Sequence, residues 1–344
     1  MERPSENRVS TVTRLITVLL ILLAASRAKS AEFSIKNTGR TLIYESADRQ
    51  EFVGDLVFLS ESRVVAGGYD GPSQSLQVFD LKTDRMIQKI PHDLTGIRDL
   101  DVSPDGQRLV AAGVLGQVQV WQTKDWSVLS GHSLHMARCV KFVQDSSLVA
   151  SGGDIPGGND LVVWNVDRQE MHRRWPAPDC YFRSLATSPD GKLFASVNDN
   201  SELCLWNIKD FKLVSTSRGD EIWPTHCLYF FKDSARIASG SSDPCVTIWN
   251  VRNCERLATT NGWKGFPTAV YGLRGDKFLL TVCHIGELRI YEVASGREVF
   301  QLESPNQFDC AALSPDGRTL LTTNFTEITV WNIDIPEKAK VPVQ

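Results

Sequence analysis

The sequence predicts an all-β protein, a seven-bladed β-propeller of four-stranded antiparallel blades, and three observations carry that expectation. An aromatic residue followed by a polar one recurs seven times, at Phe79, Trp121, Trp164, Trp206, Trp249, Tyr291 and Trp331, with successive spacings of 42, 43, 42, 43, 42 and 40 residues. A turn signal lies upstream of most of them: Ser103-Pro104-Asp105-Gly106, Ser188-Pro189-Asp190-Gly191 and Ser314-Pro315-Asp316-Gly317, with looser versions at Gln144-Asp145, Lys232-Asp233 and Gly275-Asp276. Proline early in the turn and glycine at its end are type I turn chemistry, which joins antiparallel strands. Between these signals the apolar runs have strand length and no helical period. They are apolar on both faces, as sheets sandwiched between neighbours must be. A four-stranded unit of 40 to 45 residues is a propeller blade.

The elements follow in order. Residues 1–30 carry Arg3, Arg8 and Arg14, then the uncharged run LITVLLILLAA and a stretch of small residues, the pattern of a secretory leader cleaved near Ala28 or Ser30. The apolar run is too short to cross a bilayer, which needs about 20 residues. A short segment, 31–40, leads into the propeller, 41–335, and a tail occupies 336–344. The fifth unit shows the blade plan: HCLYFF, RIASGS, CVTIWNV and ERLATT, separated by turns. After Trp331 the proline- and lysine-rich end offers no outer strand, whereas TLIY at 41–44 has no blade of its own. The N-terminal segment is therefore expected to supply the outer strand of blade seven, closing the ring and removing its open edge.

Composition narrows the function classes. The chain of 344 residues is 42% hydrophobic and 23% charged, which describes a globular body. Its net charge of −4 supplies no positive field for nucleic acid. Eight cysteines are too few for a disulfide-stapled scaffold. Cys139, Cys227 and Cys310 share one inner-strand position and read as small buried fillers. Cys245 and Cys254 bracket one strand from opposite ends and are not expected to pair. No HExxH, GxSxG, P-loop, GxGxxG or CxxC pair is present, so neither catalysis nor a cofactor is expected. His226, Cys227, Cys245, Cys283 and His284 lack metal-ligand spacing and read as isolated structural residues, with no metal.

The repeat resembles the WD40 family, particularly its secreted bacterial members; residues 185–207 (LATSPDGKLFASVNDNSELCLWN) and 310–332 (CAALSPDGRTLLTTNFTEITVWN) carry the likeness. It implies a platform for protein assembly. It also implies a buried His, Ser/Thr, Asp and Trp network, for which blade three offers His132, Ser151, Asp160 and Trp164. Blade five offers Ser239, Asp243 and Trp249 without the histidine, and Trp121, Trp206 and Trp331 fill the same core position elsewhere.

Two groups of residues are candidates for partner binding. Arg98, Arg138 and Arg183 occupy one position, seven before the turn aspartate, with His226 in blade five, Ala269 in blade six and Asp309 in blade seven. Such an arc at the start of the inner strands can grip carboxylates. Trp175, Trp223 and Trp263, with Phe266, lie at connections stiffened by proline, the kind of rigid aromatic that anchors an interface. Long connections at 67–75 and 152–160 open on the same face. The expected function is a monomeric, non-catalytic scaffold for a protein or peptide partner outside the cytoplasm. A propeller hydrolase or lactonase, and a carbohydrate-binding envelope protein, are the alternatives.

Overall fold

A computed structural model describes residues 33–46, 52–69, 75–133, 137–143, 146–153, 160–176, 182–198, 202–218, 225–243, 245–260 and 262–335. The leader-like stretch 1–30, Trp223 and most of the two long connections lie outside these residues. Seven four-stranded antiparallel sheets form the propeller. Ile35–Ile333 make one compact unit. No helix among the described residues is long and apolar enough to cross a membrane.

Blades one to six are built in chain order, and blade seven has the order β1, β28, β27, β26. Its outer strand β1, Ser34–Ile43, pairs with β28, Glu327–Asp334, as the missing fourth strand required. The strand starts seven residues earlier than the TLIY run that announced it. Thr38 Oγ1 donates to the Val330 carbonyl at 2.8 Å, and Tyr44 N donates to the Thr326 carbonyl at 2.8 Å.

The hydrophobic core lies between blades. Leu42, Val53 and Phe79 pack with Leu321 and Val330 across the closure. Val65 and Leu76 of blade one meet Leu109 and Trp121 of blade two in the next cluster. The clusters at four further interfaces likewise draw on two blades each, whereas the small cluster of Trp263, Cys283 and Tyr291 belongs to blade six.

The third-strand aromatic is held by a hydroxyl on the second strand. Trp206 Nε1 donates to Ser196 Oγ at 2.9 Å, Trp249 to Ser239 at 2.8 Å and Trp331 to Thr322 at 2.8 Å. Blade two has Ala111 at that position, and the buried Trp121 N–H finds no hydrogen-bond partner among the described residues. Blade one has Ala66 at that position and Phe79 as its aromatic, which has nothing to donate.

Blade six departs furthest. Buried Arg289 on β24, Glu287–Glu292, bonds Glu287 through two nitrogens and Glu298 at 2.9 Å, and its guanidinium lies 4.6 Å from the Trp263 ring centre. Burial is the largest single influence on the Arg289 pKa and lowers it, but Glu287 and the Tyr291 hydroxyl together outweigh it and leave the pKa raised. Burial pushes the nearby Tyr291 hydroxyl up to about 12.

Blades three and five show part of the implied networks. The Trp164 indole donates to Ser130 Oγ of the preceding outer strand at 2.8 Å, while Asp160 forms an ion pair with Arg174. The side chains of His132 and Ser151 are outside the described set. In blade five Ser239 and Trp249 bond, but Asp243 is exposed in the turn and stays apart from them.

Candidate functional site

Seven first strands line the axis: β2 Val53–Ser60, β6 Ile97–Val102, β10 Ala137–Val143, β14 Phe182–Thr187, β18 Thr225–Phe230, β22 Pro267–Leu273 and β26 Ala311–Leu313. In the first six of these, pairing with the second strand skips the second residue. The skipped residues are Gly54, Arg98, Arg138, Arg183, His226 and Thr268. A bulge re-aims the side chain of its extra residue, and here Arg98, Arg138, Arg183 and Thr268 line a cavity of about 450 Å³ at the channel mouth, with Asp309. The blade-six residue in this layer is Thr268, not Ala269. The turn after β22 carries its aspartate, Asp276, one place later than the turn after β10 carries Asp145, which shifts a count made back from the turn. The His226 side chain is outside the described set.

Below the mouth, the next layer is laced across blades. Asp55 Oδ2 accepts from Leu100 N at 2.7 Å, and Asp99 Oδ2 accepts from Val140 N at 2.7 Å. Where the layer holds cysteine, the thiol donates to the first residue of the following inner strand: Cys139 to the Phe182 carbonyl at 3.9 Å, Cys227 to Pro267 at 3.7 Å and Cys310 to Val53 at 3.8 Å. One strand position thus holds a carboxylate on blades one and two and a thiol on blades three, five and seven, each gripping its neighbour's backbone, while Ser184 and Ala269 occupy it on blades four and six. Asp101 repeats the device one layer down, accepting from Phe142 N at 2.8 Å and pairing with Lys141 at 3.0 Å.

Loss of water raises the Asp55 and Asp99 pKa values, with Asp99 adding repulsion at Asp55 and Lys141 opposing the rise at both. The flanking carboxylates overcome desolvation at Lys141 and hold its ammonium charged. Burial raises all three thiols, Cys227 to about 12. They are protonated hydrogen-bond donors at neutral pH, the opposite of an activated nucleophile. Among the described residues no group of three or more His, Cys, Asp or Glu side chains is placed to hold a metal ion.

Of the three tryptophans expected to project from this face, the two described ones, Trp175 and Trp263, pack into the body. Trp175 belongs to the outer strand β13, Glu170–Pro176, and its ring lies 5.0 Å from Trp206 and 5.9 Å from Phe211 in the interface of blades three and four. Trp263 is 6% exposed, packed against Tyr291 and covered by Arg289. The neighbouring prolines fix the backbone path but leave the rings free to seek the nearest apolar gap. Phe266 stacks on His284 at 3.8 Å between centroids, on blade six. Trp126 lies in the turn before β9, Val128–Ser133, and its N–H donates to Gln88 at 3.0 Å.

The aromatic side of the mouth was not foreseen. Phe52 and Tyr69 of blade one stack at 4.7 Å, and the Arg98 guanidinium carbon lies 5.6 Å from the Tyr69 ring centre. Gly96 explains that close approach: a Cβ there would stand 1.7 Å from the Tyr69 carbonyl oxygen. Phe325, in the turn between β27, Thr319–Asn324, and β28, is 63% exposed. Its N–H donates to the mouth residue Asp309 at 2.7 Å, and its carbonyl accepts from Val53 N at 2.9 Å.

Four stretches match the WD40 family model, described as "WD domain, G-beta repeat": residues 85–122, 124–165, 171–207 and 212–250. Among curated relatives, "Periodic tryptophan protein 2 homolog" of Dictyostelium discoideum is 24% identical over 67% of this chain and 25% of its own length. "Protein LST8 homolog" of Drosophila melanogaster is 25% identical over 59% of the chain and 67% of its own length. "Guanine nucleotide-binding protein subunit beta" of Solanum tuberosum is 23% identical over 79% of the chain and 78% of its own length. The chain thus spans a quarter of the first relative and two thirds or more of the other two. The matches support the WD40 repeat family, and relatives of this type fit a protein-interaction role.

Proposed function

We propose, from the WD40 repeats that these matches support, that the propeller is a non-catalytic platform that holds a protein partner at its channel mouth and works outside the cytoplasm. The observation that carries this reading is the bulged arc of Arg98, Arg138 and Arg183 around an open cavity, above a wall of cross-blade bonds. Guanidinium forks on three successive blades suit carboxylate-bearing side chains. The buried, protonated thiols argue against covalent chemistry. Export rests on the leader-like residues 1–30.

The test is cross-linked capture from envelope and culture-medium fractions with the full chain and with Arg98→Glu, Arg138→Glu and Arg183→Glu combined, after matched thermal melts. A defined partner enriched by the parent and lost with the charge-reversed arc is the expected result. Retention of the same partner by the variant overturns the placement of the site. Fusion of residues 1–30 to a phosphatase that matures only outside the cytoplasm tests export, and an inactive fusion refutes it.

A further inference from the structure

Three bulky aromatics adopt the left-handed backbone: Trp126 at φ 62°, Phe211 at φ 54° and Phe325 at φ 52°. Such a conformation is a genuine outlier for a large side chain and persists only where something else favours the residue. For Phe211 the compensation is burial: it is 4% exposed and packed against Trp175, Trp206 and Phe194. For Trp126 it is a hydrogen bond from its indole to Gln88. Phe325 has neither form of compensation within the blade. It is 63% exposed, and it sits at a hairpin position where turn chemistry favours glycine or asparagine. The corresponding turns of blades two and six place their positive φ on Gly116 and Gly286. The backbone bonds to Asp309 and Val53 fix the turn, but a glycine would make both equally well.

The position of Phe325 gives the side chain a use. Its N–H is bonded to Asp309, which lines the mouth, and its carbonyl is bonded to Val53, next to the stack of Phe52 on Tyr69. Arg98 lies over Tyr69, and Arg138 and Arg183 continue the arc on the following blades. The rim therefore runs from an exposed aromatic on blade seven, through a half-buried stack on blade one, to three guanidinium groups on blades two to four.

We infer that the mouth binds an extended acidic segment of a partner protein, which lays one aromatic or large aliphatic side chain against Phe325 and the Phe52–Tyr69 stack and directs its carboxylates to Arg98, Arg138 and Arg183. This rests on the interaction-platform reading and adds the chemistry of the occupant. Charge complementarity selects an acidic segment, and the exposed ring selects the apolar residue beside it. Aromatic anchors set in a polar rim carry most of the binding energy in interfaces of this kind.

The test is selection of a random twelve-residue phage-displayed peptide library on the full chain, on Phe325→Gly and on the combined variant Arg98→Gln, Arg138→Gln and Arg183→Gln. The parent is expected to enrich peptides that join an aromatic or large aliphatic residue to two or more Asp or Glu. Phe325→Gly is expected to lose the apolar preference while melting at the same temperature or higher, because its turn is relaxed. The arginine variant is expected to lose the acidic preference. Peptides without acidic residues, identical preferences on all three proteins, or no enrichment on the parent each overturn the inference. Capture of one defined protein by the parent and equally by both variants would sink this inference while leaving the platform reading in place elsewhere on the surface. Failure of the parent to capture any defined protein would sink the platform reading itself.

Discussion

The blade bodies and the channel mouth handle polar groups in opposite ways. Inside blades four, five and seven a hydroxyl meets each indole N–H, and blade six surrounds a buried guanidinium with two carboxylates, the Gly262 carbonyl and an aromatic face. At the mouth, charged arginines face an open cavity and a bulky ring keeps an unfavourable backbone conformation in water. The bodies are arranged for stability and the mouth for contact. Exposed apolar side chains alone do not mark a site: Ile87, Val128, Met171, Leu213 and Leu257 are exposed on outer strands, as surface apolar residues commonly are. What distinguishes Phe325 is that its exposure coincides with backbone strain and adjoining charge.

The sharpest way to break this contrast is to disturb blade six. Arg289→Ala leaves Glu287 buried without its cation, and should cost about 3–5 kcal/mol in a denaturation experiment while partner capture by the folded fraction is unchanged. Next in size, Ser239→Ala removes the acceptor of the Trp249 indole. Urea titration should show a loss of about 1–3 kcal/mol. The reverse change, Ala111→Ser, supplies an acceptor to the buried Trp121 N–H and should raise stability by about 1 kcal/mol. A loss there would show that the blade-two interface has no room for a hydroxyl.

The smallest effect concerns pH. Asp55 titrates higher in the folded chain than in the unfolded one, so the unfolded state holds fewer protons as pH rises from the acid range. The stability associated with its protonated form is present below the unfolded pKa and declines as pH rises through the folded value. Asp55→Asn can still accept from Leu100 N and should flatten that decline, with its largest gain at neutral pH. An unchanged pH profile would remove Asp55 from the linkage.

The ring was legible because its signals are local and repeated: seven aromatics at near-constant spacing, turns ahead of them, and an end without a fourth strand. The arginine arc was legible for the same reason, since a count back from a turn reaches one strand position, and it slipped at Ala269 because Asp276 sits one place later in its turn. Trp175 and Trp263 misled because a stiff backbone does not fix where a ring points; Trp175 found an inter-blade gap that only the assembled ring creates, and Trp263 folded onto Tyr291 and Arg289 of blade six. Phe325 was hidden because its exposure and left-handed backbone depend on a short hairpin. The unusually short connection between the runs TLLTTN and EITVWN was the one available signal.

The most direct measurement places the photocrosslinker p-benzoylphenylalanine at position 325 and, in a second protein, at position 128, an outer-strand site of similar exposure, 56% against 63%. Irradiation of both in the envelope and medium fractions should give a discrete adduct from position 325, abolished when Arg98, Arg138 and Arg183 are changed to glutamate, and none from position 128. An adduct from position 128 alone, or one at 325 that survives the loss of the arginines, would contradict the assignment of the mouth as the binding surface.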